Sequence, residues 1–236
     1  MSTQQSNTLQ VLTKKLDDAI ILGRESHTLE GFEKAYQLAE AAKTLDAALT
    51  AEYMKPILEL QNKRIGYKTD KPNGYPEPVV KNCLIEAVLI GVQPVGNQFN
   101  IIASSCYITK EGFEYLLSHI RGLKWEIIPS LPRIGKENPD SGAVKMLIRW
   151  TTNGGEFEER EIDFAVKINK YMGTDAVIGK ATRKARAWLH SAVTGNEISD
   201  GDVDTIDVTH TEVSGNDKKQ QLRDNKNGTQ GKINLP

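Results

Sequence analysis

The cations within residues 175–193 are the part of this sequence best suited to chemistry. The segment has helical spacing, and at about 100° per residue it divides into an apolar side and a charged side. The charged side carries Lys180, Arg183, Lys184 and Arg186. No acidic residue lies between positions 176 and 191 to neutralise them at i,i+4 spacing. The pattern predicts an outward-facing cationic surface that binds a polyanion in a salt-sensitive way, with a merely solvated helix face as the alternative.

A second basic set lies close in sequence to two tryptophans, Trp125 and Trp150. Its members are Lys124, Arg133, Lys136, Lys145 and Arg149. Aromatic faces beside cations suit single-stranded nucleic acid, whose exposed bases can stack. The candidate stacking residues are Tyr107, Trp150 and Tyr75, and packing in the core or a loop is the alternative for each.

The remaining reactive residues do not form a catalytic set. Residues 179–182 (GKAT) lack the spacing of a phosphate-binding loop and the hydroxyl that directly follows its lysine. The histidines at positions 27, 119, 190 and 210 lack zinc-ligand spacing. Glu158, Glu161 and Asp163 fit a solvated strand edge, with a metal-dependent nuclease as the alternative. The sequence therefore predicts no enzymatic activity, no catalytic residue, no metal and no cofactor.

The charge of the 236-residue chain is unevenly distributed. Its net charge of −1 combines a segment at residues 196–236, with eight acids and five bases (−3), and a remainder at +2. No apolar run approaches the roughly 18 residues that cross a bilayer, and the polar N-terminus is unlike a signal peptide. We therefore expect a cytoplasmic protein without membrane contact. Cys83 and Cys106 lie in apolar runs, which predicts buried free thiols.

Hydrophobic periodicity predicts an α+β fold with an antiparallel sheet and a hairpin packed against helices. Helices are expected at residues 9–23, 29–61 (interrupted at Pro56), 79–90, 112–120 (capped by Thr109) and 175–193 (ended by Gly195). Strands are expected at residues 99–108, 123–129, 143–152 and 156–166, the last two joined by an Asn-Gly-Gly turn at 153–155. The predicted organisation is disorder at 1–8, a helical region at 9–66, an α+β core at 67–195 and a disordered acidic tail at 196–236.

Three segments of the chain carry a recognisable pattern: residues 91–102 (GVQPVGNQFNII), 106–113 (CYITKEGF) and 175–188 (DAVIGKATRKARAW). Together they resemble the phage single-strand annealing proteins of the RecT type, the group related to the lambda beta protein. The resemblance spans about residues 75–195, whereas residues 9–63 match nothing in the family pattern.

The resemblance implies a recombinase that binds single-stranded DNA in a positively charged groove and anneals complementary strands without ATP. It also implies a homo-oligomer, either a ring or a helical filament, in the cytoplasm of a bacterial host cell, with an exonuclease or a single-strand-binding protein as partner. The DNA backbone would be contacted by Lys180, Arg183, Lys184 and Arg186, with Lys145 and Arg149 behind them and Lys110 in addition.

Two other functions remain open at the level of sequence. The chain could coat single strands without annealing them, or be a phage accessory factor that docks on a partner protein. The acidic tail and helical N-terminal region would then be the functional parts. The tail itself could bind a partner or occupy the DNA groove as a mimic of DNA.

Overall fold

The computed structural model of the chain describes residues 3–135 and 140–198, which fall within one compact unit. Helices and antiparallel strands dominate, which confirms the α+β class. The helices are α1 (Thr3–Glu25), a 3-10 turn (Ser26–Thr28), α2 (Gly31–Ala48), α3 (Ala51–Leu58), α4 (Glu77–Ile90), α5 (Lys110–Ser118) and α6 (Thr174–Thr194). The strands are β1 (Lys68–Thr69), β2 (Phe99–Ile102), β3 (Ser105–Ile108), β4 (Leu123–Pro129), β5 (Arg133–Ile134), β6 (Ser141–Thr152) and β7 (Glu158–Lys167).

The N-terminal helices share a core with α4 and the first strands. Leu45 of α2 and Met54 of α3 are fully buried in the same cluster as Phe99 and Ile101 of β2. α1 packs tightly at Gly23, where a Cβ would clash with the side chain of Leu89 and lie 3.3 Å from that of Ala41. The helical region predicted at 9–66 is therefore packed into the molecule and has no separate core.

The helix boundaries differ most from the sequence prediction in the N-terminal region. The long helical stretch is interrupted at Leu49–Thr50, where the Thr50 hydroxyl accepts a hydrogen bond from Tyr53 N, and Pro56 lies inside α3. Pro56 has no N–H to donate to the carbonyl of Glu52, and α3 ends two residues after it at Leu58. α1 begins at Thr3, inside the segment predicted to be disordered, because extending a nucleated helix is easy compared with starting one.

A small sheet is formed by β1, β2 and β3 in that order. β1 pairs with β2 in parallel and β2 with β3 antiparallel, so the single strand predicted at 99–108 is a hairpin. Its turn, Ala103–Ser104, has positive φ at both residues (51° and 66°) and lacks the glycine that usually marks such turns. The side chains of Asp70 and Tyr75 accept hydrogen bonds from the two turn amides and stabilise the turn.

The larger sheet has β6 at its centre, with β4 and β5 on one side and β7 on the other. Period-two alternation buries Val144, Met146, Ile148 and Trp150 on one face. The Asn-Gly-Gly turn joins β6 to β7, which confirms the predicted hairpin.

Helix α6 packs on this buried face and also against α5. Its apolar side, with Val177, Ala181, Ala185 and Leu189, completes the second core. Gly195 ends α6 in the left-handed conformation (φ 71°), and Thr109 caps α5, as predicted. α6 is thus held from two sides rather than resting on one sheet.

Three other predictions concern burial, membranes and the tail. Cys83 and Cys106 are buried free thiols, as predicted. None of the helices in the described part of the chain has the length and apolar character needed to cross a membrane. The predicted acidic tail lies outside the described residues from position 199 onward.

Candidate nucleic-acid interface

Arg183 does not face outward, contrary to the sequence prediction. It is only 4% exposed, and its guanidinium carbon lies 4.3 Å from the centroid of the Tyr107 ring on β3. A guanidinium plane against an aromatic face is a favourable cation–π arrangement. The prediction of exposure was wrong because it assumed one packed side for α6, whereas the helix also packs against its neighbours on a second side.

Arg186 is also less accessible to solvent than predicted. Its side chain is 15% exposed and forms an ion pair with Glu114 of α5 (Nη1 to Oε2, 3.0 Å). The same nitrogen donates a hydrogen bond to the carbonyl of Lys110 (2.7 Å), and the guanidinium lies 5.5 Å from the Trp125 ring. The i,i+4 spacing rule could not predict this ion pair, because Glu114 belongs to another helix, 72 positions away in sequence.

The other predicted cations of this region lie at the surface. Lys180 is exposed, and its Nζ donates a hydrogen bond to the carbonyl of Lys167 (3.2 Å). Lys184 is half-buried, one turn further along α6. Lys110 is exposed, 3.7 Å from the carboxylate of the adjacent Glu111. α6 therefore presents two lysines to solvent, with Lys110 at the start of the neighbouring helix.

A row of side chains crosses the outer face of the small sheet and meets α6. Lys68 pairs in register with Asn100, and Asn100 with Tyr107, so the three side chains share one face. The alternate residues Phe99 and Ile101 are buried on the opposite face. Lys68 N also donates to Asn100 Oδ1 (3.2 Å). Because Tyr107 supports Arg183, the row continues onto the helix.

We call this surface the α6 strip; it comprises Lys68, Asn100, Tyr107, Lys180, Arg183 and Lys184. Sequence reasoning missed Lys68 and Asn100. The parallel pairing of β1 with β2 brings together residues 32 positions apart. Sequence patterns within one segment do not predict such a pairing. The strip combines surface lysines, a carboxamide and a supported aromatic ring, which are the groups that contact phosphates and bases.

Lys145 and Arg149, predicted to lie behind the α6 cations, are on the far face of the larger sheet. Lys145 Nζ lies 3.1 Å from Glu161, and Arg149 Nε lies 2.5 Å from Glu159 and Nη1 3.9 Å from Glu126. The Glu159 carboxylate raises the pKa of Arg149 above its usual value. Alternate residues of β6 face α6, so these two cations point away from it.

This outer face is close to neutral. Besides the pairs of Lys145 and Arg149, Arg133 contacts Asp163. Exposed ion pairs contribute little stability, but their opposite charges leave little net attraction for phosphate. The prediction that Lys145 and Arg149 share a surface with α6 is therefore wrong, and Lys136 lies outside the described residues.

Two of the three predicted stacking residues have no open ring face. Trp150 is 6% exposed and meets Trp188 edge-on, with centroids 5.6 Å apart. Tyr75 is buried, its hydroxyl donates to Asp70 (2.7 Å), and Lys71 lies over its ring. Both are structural, as the alternative interpretation had it. Tyr107 is half-buried, with Arg183 on its ring.

The acidic residues considered for a nuclease do not form a metal site. Glu161 and Asp163 are paired with Lys145 and Arg133. In residues 3–135 and 140–198, no group of three His, Cys, Asp or Glu side chains is placed to hold a metal ion. The geometry of β7 is thus that of a solvated, ion-paired strand.

A polar cleft of about 310 Å³ separates α5 from α6 beside the strip. Its lining includes Lys110, Glu111, Glu114, Asp175, Thr182 and Arg186. Carboxylates and cations are mixed here, so a phosphate entering the cleft would have to displace Glu114 from Arg186.

Comparison of the chain with family models, with curated proteins and with solved structures found no match.

Proposed function

We propose that this protein binds single-stranded DNA along the α6 strip and anneals complementary strands without ATP. The observation that carries the proposal is the continuity of the strip. In-register pairing across three strands leads from Lys68 to Tyr107, and the Arg183 guanidinium on the Tyr107 ring joins the sheet to Lys180 and Lys184. Sheet and helix fix the backbone that carries these groups, so only their side chains need ordering when a strand binds.

The strip offers cations for phosphates on a largely open surface. A strand held by its backbone leaves base edges available to a complementary strand. Pairing then supplies the driving force, with stacking contributing roughly 1.4 kcal/mol per step. Nucleotide hydrolysis is unnecessary in this scheme, in keeping with the lack of a phosphate-binding loop in the sequence.

The resemblance to RecT-type proteins supports the remaining parts of the proposal. These are assembly into a ring or helical filament, action in the cytoplasm of a bacterial host cell, and cooperation with an exonuclease or a single-strand-binding protein. The ion-paired face of the larger sheet is not part of the proposed DNA surface.

An annealing assay tests this function directly. Two complementary oligonucleotides, one with a fluorophore and one with a quencher, are mixed with and without the protein in buffer free of ATP. Faster pairing in the presence of the protein is the expected result. Slower pairing would indicate a coating protein that masks the bases, and an unchanged rate together with no gel shift would contradict DNA binding altogether.

A further inference from the structure

Tyr171 is an exposed aromatic residue that the sequence analysis did not select. It lies in the short connection between β7 and α6 and is 84% exposed. The Nζ of the adjacent Lys170 lies 4.9 Å from the centroid of its ring. A large, open ring next to a cation is unusual for a residue with only a packing role.

The turn that carries Tyr171 is well anchored. The Tyr171 amide donates to the Asn169 side chain (3.0 Å), and the Met172 amide to the Asn169 carbonyl (2.9 Å). On the N-terminal side, Ile168 is buried and its amide donates to the Asp140 carbonyl (2.7 Å). The backbone under the ring is therefore held in place, so stacking on the ring requires little additional ordering.

The turn is continuous with the α6 strip. Lys180 Nζ donates to the carbonyl of Lys167, which places this lysine next to the connection. Within the described part of the chain, neither Lys170 nor Lys180 forms an ion pair with a carboxylate. Tyr171 thus lies beside two surface lysines.

Phe157 provides an internal contrast. It is also an exposed ring (66%), at the other end of β7, but its sequence neighbours are Glu156, Glu158 and Glu159. Acidic neighbours repel a phosphate backbone, whereas Lys170 and Lys180 beside Tyr171 attract it. The charge near each ring therefore separates a candidate stacking residue from an exposed aromatic without that role.

We propose that Tyr171 stacks on an unpaired base of the bound strand, while Lys170 and Lys180 contact the flanking phosphates. This inference rests on the proposed function and adds a specific contact to it. Every base has a π-face, so the contact favours single strands over duplex without selecting a sequence.

Binding of two fluorescent oligonucleotides of equal length, oligo(dT) and its abasic counterpart, separates stacking from phosphate contact. Tyr171→Ala should weaken oligo(dT) binding about 5- to 160-fold and leave abasic binding unchanged. Tyr171→Phe should retain wild-type affinity for both. Lys170→Ala should weaken both, and the control Phe157→Ala neither.

Two outcomes would overturn the inference alone. One is wild-type affinity of Tyr171→Ala for oligo(dT), and the other is an equal loss on both oligonucleotides, which would remove any role for a base. If the wild-type protein bound neither oligonucleotide, the proposed function itself would fall as well.

Discussion

At the scale of single residues, the contact between Arg183 and Tyr107 joins α6 to the small sheet. The guanidinium carbon lies 4.3 Å from the ring centroid, and Arg183 is only 4% exposed. Cation–π contacts are stronger between groups that are shielded from water than between exposed groups.

The Arg183–Tyr107 contact should stabilise the fold as well as the strip. In a double-mutant cycle with Arg183→Lys and Tyr107→Leu, we expect a coupling free energy of about 0.5–2 kcal/mol, because lysine lacks the planar guanidinium and leucine lacks the ring. Urea unfolding of the four proteins measures it. A coupling near zero would show that the contact contributes nothing to stability.

His190 should make stability depend on pH. It is buried near Phe113, its Nδ1 has no hydrogen-bond partner, and burial, with a smaller contribution from the charge of His27, lowers its pKa below the ordinary 6.5. The unfolded chain therefore binds more protons than the folded one once the pH falls below about 6.5. The free energy of unfolding should decrease through that range.

Urea unfolding at pH 7.5 and 5.5 measures this effect. The decrease between the two pH values should be smaller in His190→Gln than in the wild-type protein. The exposed His119→Gln serves as the control and should keep the wild-type decrease. An identical decrease in His190→Gln would exclude His190 as the source.

At the scale of elements, local rules predicted most of the helices and strands. Thr109 and Gly195 marked helix ends, and the Asn-Gly-Gly sequence marked the turn of the hairpin. The turn at Ala103–Ser104 was missed because it adopts positive φ without glycine. The i,i+4 rule considers residues of one helix only, so it could not predict that Glu114 of α5 pairs with Arg186 of α6.

Glu114 should weaken DNA binding because it competes with phosphate for Arg186. Glu114→Ala removes an ion pair that is partly exposed and is worth up to about 1 kcal/mol. We expect about a 2- to 5-fold gain in oligo(dT) affinity, measured by fluorescence anisotropy. The matched control is Glu161→Ala on the outer face of the larger sheet, which should bind as the wild-type protein does. Equal gains in both variants would indicate only a general effect of net charge.

At the scale of the whole molecule, the sequence predicted the fold class but not the arrangement that makes the site. Nothing local indicated that β1 pairs in parallel with β2, or that α6 packs both on the larger sheet and against α5. These contacts between distant segments align Lys68 and Asn100 with Tyr107. They also place Lys145 and Arg149 on the face of the larger sheet that points away from α6. The N-terminal helices, predicted as a separate region, complete the core beneath the small sheet.

The proposed function requires that DNA binds on the α6 side of the molecule and not on the far face of the larger sheet. The most direct test measures oligo(dT) affinity across a range of salt concentrations for Lys180→Ala/Lys184→Ala and for Lys145→Ala/Arg149→Ala, which remove the same charge. The first pair should bind more weakly and lose about 1.4 from the slope of log affinity against log salt, at about 0.7 per phosphate contact. The second pair should retain the wild-type slope. Equal effects, or a larger loss in the second pair, would contradict the claim.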